Sequence, residues 1–492
     1  MSDRSYVVAL DVGTSSVRAI LYDHLARPVR GAAVHIRHEP RIGSDGTSEM
    51  DADKLVTLVL RSLVRLLRLA GARRARSIAG VGVSTFWHGL VAADESARAL
   101  SPVYLWSDTR SWKTIAQLQD RLDPEEVRQR TGCPIHPSYW PAKLAWLKSA
   151  RPDLWSRPVR WMSFGDLLFW RMFGSLATSL SMASGTGLFR LADCGWDEEL
   201  LSVLEVSPAS LPPIGEAEQT LTPEHRLLLP QLADIPWLYA AGDGALANLG
   251  SGCLTPVNRA LTVGTSGALR ATHSVPPARI PQGLWCYRLD RKRVVIGGAL
   301  SNGGNLRRWL LDTLRVTDGK LEDGLGRVVP GAHGLTVLPH LAGERGLGYA
   351  PHAFGAIAGI TSATTAEDIA RAGLEAVAIE FGRVDRRLDQ VIPAAKALVA
   401  SGTALLSSPG WMQIMADAIG RPVAAGKANE ASSRGAALFA LEWLGLAEPS
   451  KLDPGTGRVF RPRADLAATY KGIEARQESL YRALISDRIL GN

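Results

Sequence analysis

Short apolar runs alternate with amphipathic stretches along the chain, and this alternation predicts strands and helices in turn. The first apolar run, Tyr6 to Leu10, is followed by a turn of small residues from Asp11 to Ser16 and by a second run from Val17 to Asp23. This pattern predicts two strands joined by a tight turn. Apolar residues at helical spacing predict a helix from Asp53 to Leu69, and a further strand from Ala79 to Val83 follows it. Strands that alternate with helices indicate an α/β fold.

The second half of the chain repeats this plan. A predicted strand from Arg259 to Val263 leads into a small-residue turn, and Ala268 begins the next strand. The recurrence at this large spacing predicts two related domains, with a boundary near residues 244–256. Further predicted elements are a helix from Ala366 to Asp389 with a capping box of Thr364 and Glu367, a strand from Ala397 to Ser401, a helix from Gly410 to Ile419, and a last helix that begins near Ser432.

Composition narrows the class of protein. A chain of 492 residues is too long for one ordinary domain, and its 46% apolar and 21% charged residues argue against disorder. The net charge of +8 suits anionic ligands such as nucleotides or sugar acids, although we interpret most of the basic residues as solvated surface. The four cysteines form neither a CxxC pair nor a Cys/His cluster, which is typical of a reducing cytoplasm. We therefore expect a cytoplasmic protein with neither a nucleic-acid nor a membrane partner.

The turn after the first strand is a candidate phosphate loop. Small side chains let the backbone approach phosphate oxygens, and the amide and hydroxyl groups there can donate to them. Asp11, at the end of the strand, can hold a magnesium ion through water. An ordinary hairpin turn explains the same sequence. The candidate phosphate contacts are Gly13, Thr14 and Ser15.

The turn of the second half has the same composition, and its candidate contacts are Gly264, Thr265 and Ser266. Either turn alone can be structural. Two of them, one in each half, suit a nucleotide whose phosphates are held from both sides of a cleft. The sequence contains no Gly-x-x-x-x-Gly-Lys-[Ser/Thr] motif, which disfavours a P-loop enzyme.

Asp243 follows an apolar run and has a glycine on each side. A carboxylate in this position is held by the main chain yet remains open to a ligand. Phosphoryl transfer needs such a carboxylate to orient the attacking hydroxyl and to accept its proton. The alternative is an ordinary turn aspartate, which is common.

Two aromatic segments are candidates for the substrate pocket. Trp106, Asp108 and Arg110 combine an apolar plate, an acceptor and a bidentate donor, which suits a polyhydroxylated ligand. Asp108 and Arg110 can equally form a structural ion pair. Trp87 and His88, at the end of a predicted strand, can face the same ligand, although a lone histidine is more often structural.

A candidate adenine seat follows the strand that ends at Ser401. It consists of Gly402, Thr403 and Ala404 after the strand, with Gln413 on the next helix. The alternative is a plain strand-to-helix connection.

In their order and approximate spacing, these motifs resemble those of the FGGY carbohydrate kinases of the actin/hexokinase-like superfamily, over essentially the whole chain. Asp11 to Arg18 resembles the first phosphate motif of that family, which adds Arg18 to the nucleotide contacts. Gly242 and Asp243 match the segment that carries the catalytic base. Further similar segments are Trp87 to Gly89 with Asp94, Trp106 to Arg110, Thr131 with Gly132, Lys143 to Trp146, Phe164 to Asp166, Thr178 with Ala183 to Gly187, Gly264 to Gly267, Leu338 to Arg345, Gln413 with Ala416 and Asp417, and Gly435 to Ala437.

Three segments depart from the family pattern. Ala241 stands where the family often has the first of two glycines, and Ser401 to Thr403 replaces a segment that is usually richer in glycine. The second departure leaves the detail of the adenine contacts open. Gly346 to Ala350 intervenes between the Gly-Glu-Arg segment and Pro351, so we expect this loop to be reshaped.

The resemblance implies two actin-like, ribonuclease-H-like domains with a cleft between them. Residues 1–248 would bind the sugar and residues 249–492 much of the nucleotide. Asp243 would be the general base, Asp11 and Asp243 the magnesium-side carboxylates, and Thr14 and Thr265 phosphate contacts. The implied cofactors are ATP and Mg²⁺, and the implied partner is a small carbohydrate, with a homodimer as a further option.

The resemblance favours a small sugar, polyol or sugar acid as substrate, and gluconate first among these. A pentulose kinase acting on xylulose or ribulose is the first alternative. A non-catalytic actin-like ligand sensor is an alternative of another class, against which the two intact aspartates argue. A nucleic-acid-binding protein is suggested only by the net charge, and the sequence carries no recognised motif for it.

Overall fold

The computed structural model describes residues 6–157, 159–215, 219–327, 329–341 and 343–487. Its two principal sheets come from the two halves of the chain. The strands of the first half are β1 (Tyr6–Val12), β2 (Ser16–Asp23), β3 (Pro28–Arg37), β4 (Arg41–Ile42), β5 (Ser48–Met50), β6 (Ile78–Thr85), β7 (Val91–Ala93), β8 (Val103–Tyr104), β9 (Arg160–Met162) and β10 (Ala241–Gly242). Those of the second half are β11 (Asn258–Val263), β12 (Gly267–His273), β13 (Trp285–Arg288), β14 (Val294–Leu300), β15 (Thr336–Pro339), β16 (Gly355–Ala358), β17 (Ala397–Ser401), β18 (Val423–Gly426) and β19 (Thr456–Phe460).

Helices cover the sheets and connect their strands. They are α1 (Ala52–Arg76), α2 (Thr114–Gln119), α3 (Pro124–Thr131), α4 (Trp140–Ala150), α5 (Pro152–Trp155), α6 (Phe164–Phe173), α7 (Leu180–Ser184), α8 (Glu198–Leu204), α9 (Pro223–Leu228), α10 (Asp243–Gly250), α11 (Gly304–Leu314), α12 (Asp318–Arg327), α13 (Ala366–Asp389), α14 (Thr403–Leu406), α15 (Pro409–Ile419), α16 (Ala431–Trp443) and α17 (Ala467–Tyr481). Within the described parts of the chain, none of the helices is long and apolar enough to cross a membrane.

The first sheet places the candidate catalytic residues together at the ends of its parallel strands. Its strand order is β10-β6-β1-β2-β3, and β1 runs antiparallel to β2 but parallel to β6 and, across β6, to β10. Asp11 of β1 and Ala241 of β10 both lie opposite Ser84 of β6, one on each side. The carboxyl ends of these three parallel strands therefore meet, and the residues that follow them converge on one crevice.

The second sheet repeats the plan of the first. Its order is β13-β14-β12-β11-β17-β18-β19, with β11 antiparallel to β12 and parallel to β17. The hairpin of β11 and β12 thus corresponds to that of β1 and β2. The repeated strand-turn-strand plan and the two-domain α/β fold are confirmed.

Helix α16 couples the two halves. In sequence it belongs to the second half, yet it packs on β1 and β6, and Ala436 and Leu441 are buried in the core of the first sheet. It also crosses α10 with backbones in contact, because a Cβ atom on Gly435 would lie 1.8 Å from the carbonyl oxygen of Leu246. The expected boundary between residues 248 and 249 falls inside α10 and stays a prediction.

Three expectations about elements need correction. Helix α1 continues beyond Leu69 to Arg76, with non-helical backbone at Gly71. The capping box of α13 is formed by Thr365 and Asp368, since the Thr365 hydroxyl accepts from the Asp368 N–H and the Asp368 carboxylate accepts from the Thr365 N–H. Helix α16 is not the last, because α17 follows it with only a thin buried stripe of Tyr470, Ile473 and Gln477.

Candidate active site

The first candidate phosphate loop is the turn between β1 and β2. The Gly13 N–H donates to the carbonyl oxygen of Ser16 at 2.9 Å, which closes the turn and leaves Thr14 half-buried and Ser15 exposed. Asp11, 3% exposed, accepts from Arg18 at 3.2 Å, and Arg18 also pairs with Glu430, which directly precedes α16. The loop thus presents small residues beside an anchored carboxylate and guanidinium.

The second candidate phosphate loop has the same form. The Gly264 N–H donates to the carbonyl oxygen of Ser266 at 3.0 Å, and Thr265 is exposed. The first residues of α11 lie against this loop, because the Gly304 N–H donates to the Gly264 carbonyl oxygen at 2.9 Å. The start of a helix therefore adjoins the loop, a position that favours anionic ligands.

Part of the expected adenine seat adjoins this second loop. A Cβ atom on Gly402, whose φ is +91°, would lie 2.2 Å from the carbonyl oxygen of Val263, so only glycine fits there. The Ala404 side chain would lie 2.6 Å from a Cβ atom on Gly304, and Thr403 is exposed. Gln413 donates instead to Asp417 at 2.9 Å and to the carbonyl oxygen of Arg461 at 2.8 Å. An adenine contact by these residues stays a prediction.

Asp243 is the first residue of α10, immediately after β10, and one of its oxygens accepts from the Gly244 N–H at 2.7 Å. Burial raises the pKa of Asp243 to about 6, the negative charge of Asp11 adds to the rise, and the positive charges of Arg270 and Arg345 oppose it. Burial also raises the pKa of Asp11. The two aspartates thus share one crevice and influence each other's ionisation.

Trp87 packs against the backbone of Gly242, the residue before Asp243. Its indole N–H donates to the carbonyl oxygen of Ser181 at 2.8 Å, and its ring fills the space beside Gly242, where a Cβ atom would lie 1.8 Å from the indole. A larger residue than glycine before Asp243 would therefore displace the tryptophan. Trp87 is 4% exposed, and its contacts fix the backbone that carries the carboxylate.

His88 is held in a neutral form by its surroundings. Its Nδ1 is hydrogen-bonded to the carbonyl oxygen of Gly185, which makes Nδ1 the protonated nitrogen. Burial, and then the positive charge of Arg345, lower the pKa of His88 well below its ordinary value. A neutral imidazole with Nδ1 occupied keeps Nε2 as an acceptor for a hydroxyl group.

Asp108 and Arg110 form a buried ion pair. Asp108 accepts from Arg110 at 2.6 Å and from the Ser48 N–H at 3.0 Å, while Arg110 also reaches Glu49 at 2.7 Å. Asp108 is 2% exposed, on the interior side of its segment. The structural ion pair that the sequence left open is therefore present, and a direct ligand contact by these two residues stays a prediction. Trp106 is half-buried, and the Arg345 guanidinium lies 4.6 Å from its ring centre.

Two arginines had no role assigned from sequence. Arg270 on β12 donates to Asn248 at 3.1 Å and to Thr262 at 2.8 Å, and its charge acts on Asp243. Arg345 closes the Leu338–Arg345 segment, of which residue 342 lies outside the described residues. The sequence pointed to Arg345 only through its place in the segment that resembles the family motif. Its contact with Trp106, on the other half of the chain, is visible only in the structure.

As a candidate magnesium site, the crevice offers the right donors. Mg²⁺ prefers oxygen ligands and usually keeps several waters, so one or two carboxylates suffice for it. Asp11 and Asp243 are two such carboxylates in one crevice, and their binding of magnesium stays a prediction. No group of three or more metal-binding side chains gathers in the described ranges.

Comparisons with known proteins agree with one another. The model of the FGGY family of carbohydrate kinases, N-terminal domain, matches residues 6–250, and that of the C-terminal domain matches residues 260–442. The chain is 29% identical to a gluconokinase of Bacillus subtilis, over 91% of this chain and 88% of the relative. A gluconate kinase structure from Lactobacillus acidophilus superposes with a TM-score of 0.89 at 26% identity, over 98% of both chains. A ligand-bound xylulose kinase structure from the same organism gives a TM-score of 0.89 at 27% identity, over 97% of this chain and 98% of that one.

Proposed function

Because this chain belongs to the FGGY family of carbohydrate kinases, and is therefore a phosphotransferase, we propose that it transfers the γ-phosphoryl group of ATP to a hydroxyl of a small sugar acid, with gluconate favoured. The observation that carries this proposal is the convergence of Asp11 and Asp243 on one crevice, at the end of the strand that leads into the first candidate phosphate loop. The gluconokinase relative supports the substrate class.

Asp243 would act as the general base. A sugar hydroxyl attacks slowly until its proton has an acceptor, and a positioned carboxylate supplies one. With a pKa of about 6, Asp243 is mostly ionised at neutral pH yet basic enough to take the proton. The short N–H bond from Gly244 and the Trp87 ring behind Gly242 hold the carboxylate in place. The proton of the hydroxyl would move to an Asp243 oxygen as the phosphoryl group is transferred.

The phosphates would lie between the two loops. Thr14 and Thr265 are the hydroxyl donors, and Arg18 carries positive charge beside the first loop. Mg²⁺, when bound beside Asp11 and Asp243, would neutralise phosphate charge and help to orient the transferred group. Closure of the two halves would exclude water, which could otherwise attack ATP in place of the sugar.

A pentulose substrate is the second candidate. The xylulose kinase structure resembles the chain as closely as the gluconate kinase structure does. A panel of aldonic acids, pentuloses and polyols, followed by ADP formation with the product identified by mass spectrometry, separates the two. We expect the highest kcat/KM with an aldonic acid. A pentulose preferred by tenfold or more would replace the sugar-acid assignment, and no turnover with any sugar would contradict the kinase proposal itself.

A further inference from the structure

The Arg345 loop, residues 343–351, is tied to the C-terminal helix by one buried glutamate. The Glu344 carboxylate accepts from the Gly348 N–H at 2.7 Å and from the hydroxyl of Tyr481, on α17, at 2.5 Å. The Glu344 N–H donates to the carbonyl oxygen of Ala350 at 3.0 Å, which closes the loop on itself. Because the glutamate is buried, the Tyr481 hydroxyl joins the interior of the loop to the helix.

The contact between Tyr481 and Glu344 is closely packed. A Cβ atom on Gly348 would lie 2.3 Å from the Tyr481 hydroxyl oxygen and 2.5 Å from Oε2 of Glu344. Burial, and then the negative charge of Glu344, raise the pKa of Tyr481, so the hydroxyl stays protonated and donates to the carboxylate. Hydrogen bonds to a charged acceptor are among the stronger ones in proteins. The loss of this one hydroxyl should therefore loosen the loop.

The same loop carries two side chains to the first half of the molecule. The Arg345 guanidinium lies 4.6 Å from the ring centre of Trp106, a candidate residue of the substrate pocket. The Tyr349 ring meets the His136 ring edge-on with 5.5 Å between centres. Tyr349 has a φ of +50°, an uncommon conformation that the surrounding contacts must hold. The Arg345 loop thus connects the C-terminal helix to the candidate active site.

Helix α17 begins beyond residues 260–442, the part of the second half that matches the family model, and Tyr481 belongs to none of the motifs identified in the sequence. We propose that Tyr481 is a positioning residue, whose hydroxyl holds the Arg345 loop so that Arg345 stays seated on Trp106 during the reaction. The inference rests on the proposed function, since it needs a sugar that the protein phosphorylates. Its competitor is a tyrosine that only anchors α17.

Tyr481→Phe removes the hydroxyl and keeps the ring. With the sugar that the wild type uses best, we expect kcat/KM for the sugar to fall by about tenfold or more, while the KM for ATP stays within about twofold. Tyr470→Phe is the matched control, because Tyr470 is a buried tyrosine of the same helix whose hydroxyl has no hydrogen-bond partner among the described residues. This control should leave kcat/KM within about twofold of the wild-type value.

A double substitution separates positioning from anchoring. If Tyr481 acts through Arg345, adding Tyr481→Phe to Arg345→Gln should change kcat/KM by less than about twofold, because the group to be positioned is already gone. Arg345→Lys serves as the background if the Gln variant has no measurable turnover. Hydrogen exchange of the peptide that contains Gly348 should also become faster in Tyr481→Phe and remain unchanged in Tyr470→Phe.

Gly348→Ala carries the test if Tyr481→Phe does not fold. The added methyl group crowds the Tyr481 hydroxyl and should cause the same loss of kcat/KM for the sugar. Gly319→Ala is its control, since no atom lies within 4 Å of a Cβ atom at that position.

The contrary results separate this inference from the proposed function. A Tyr481→Phe enzyme with wild-type kcat/KM overturns the inference, even if its melting temperature falls. An equal loss in the wild-type and Arg345→Gln backgrounds assigns Tyr481 to anchoring alone and also overturns it. A wild-type protein that phosphorylates no sugar contradicts the proposed function, and the inference fails with it. A preference for a pentulose overturns only the sugar-acid assignment, and the same variants are then compared with that pentulose.

Discussion

At the scale of single residues, Asp243 lies between a carboxylate and two guanidinium groups that act on its pKa in opposite directions. Asp11 and burial raise it, and Arg270 and Arg345 lower it, so that it settles at about 6. A general base works only when ionised, so kcat/KM should fall by about tenfold per pH unit as the pH drops below that value. Arg270→Gln removes one opposing charge, so the midpoint should move to higher pH.

A pH profile of kcat/KM at saturating ATP measures this shift. Arg270→Lys retains the charge and should leave the midpoint close to that of the wild type. If the midpoint is the same in Arg270→Gln and in the wild type, the acid limb reports a group other than Asp243.

Asp243→Asn tests the base directly. The amide keeps the shape of the side chain but cannot accept the proton, so kcat should fall by about 10²–10⁴-fold. Binding of ATP, measured by calorimetry, should survive because the loops at Thr14 and Thr265 are unchanged. Asp234→Asn, at a 78% exposed aspartate, is the matched control. A folded Asp243→Asn enzyme with near wild-type kcat would remove Asp243 from the mechanism.

At the scale of elements, the contact between α10 and α16 leaves no room for a side chain. A Cβ atom on Gly435 would lie 1.8 Å from the Leu246 carbonyl oxygen, so Gly435→Ala must push the helices apart. We expect the free energy of unfolding to fall by roughly 1–3 kcal/mol. Because α10 begins with Asp243, kcat should fall as well.

Urea unfolding and steady-state kinetics on the same preparation measure both effects. Gly472→Ala on α17 is the control, since the nearest atom to its Cβ, in the side chain of Arg476, lies 3.8 Å away. That change should stabilise by less than about 1 kcal/mol. Equal effects of the two substitutions would mean that the close helix contact is not tight in solution.

Local signals made some elements predictable from sequence and left others open. The two turns at residues 13–15 and 264–266 were predictable because each lies between apolar runs that form a hairpin, whereas their contact with phosphate stays a prediction. The start of α13 at Ala366 was predicted correctly, but its capping box was misplaced by one residue because Thr364 with Glu367 and Thr365 with Asp368 both fit the capping pattern, and only hydrogen-bond geometry separates them. The stacking of Arg345 on Trp106 joins the two halves of the chain, and no local sequence pattern contains such a contact.

At the scale of the whole molecule, the two halves share a core. Helix α16 lies more than 180 residues after α10 in the chain, yet it covers β1 and β6 and contributes Ala436, Ala440 and Leu441 to the first core. Gly82 on β6 is so close to this helix that a Cβ atom there would lie 2.1 Å from the Ala436 carbonyl oxygen. The first sheet therefore depends on a helix from the far end of the sequence.

This arrangement predicts that a fragment of residues 1–248 does not fold by itself. Without α16 it would expose the apolar face of β1 and β6 and would also end inside α10, so we expect aggregation or a non-cooperative thermal transition. Co-expression with residues 249–492 should restore a soluble complex, because the missing helix returns to the same sheet. Gel filtration, circular dichroism and ADP formation measure recovery, with the intact chain as control. A fragment that unfolds cooperatively as a monomer would show that the first domain completes its core without α16.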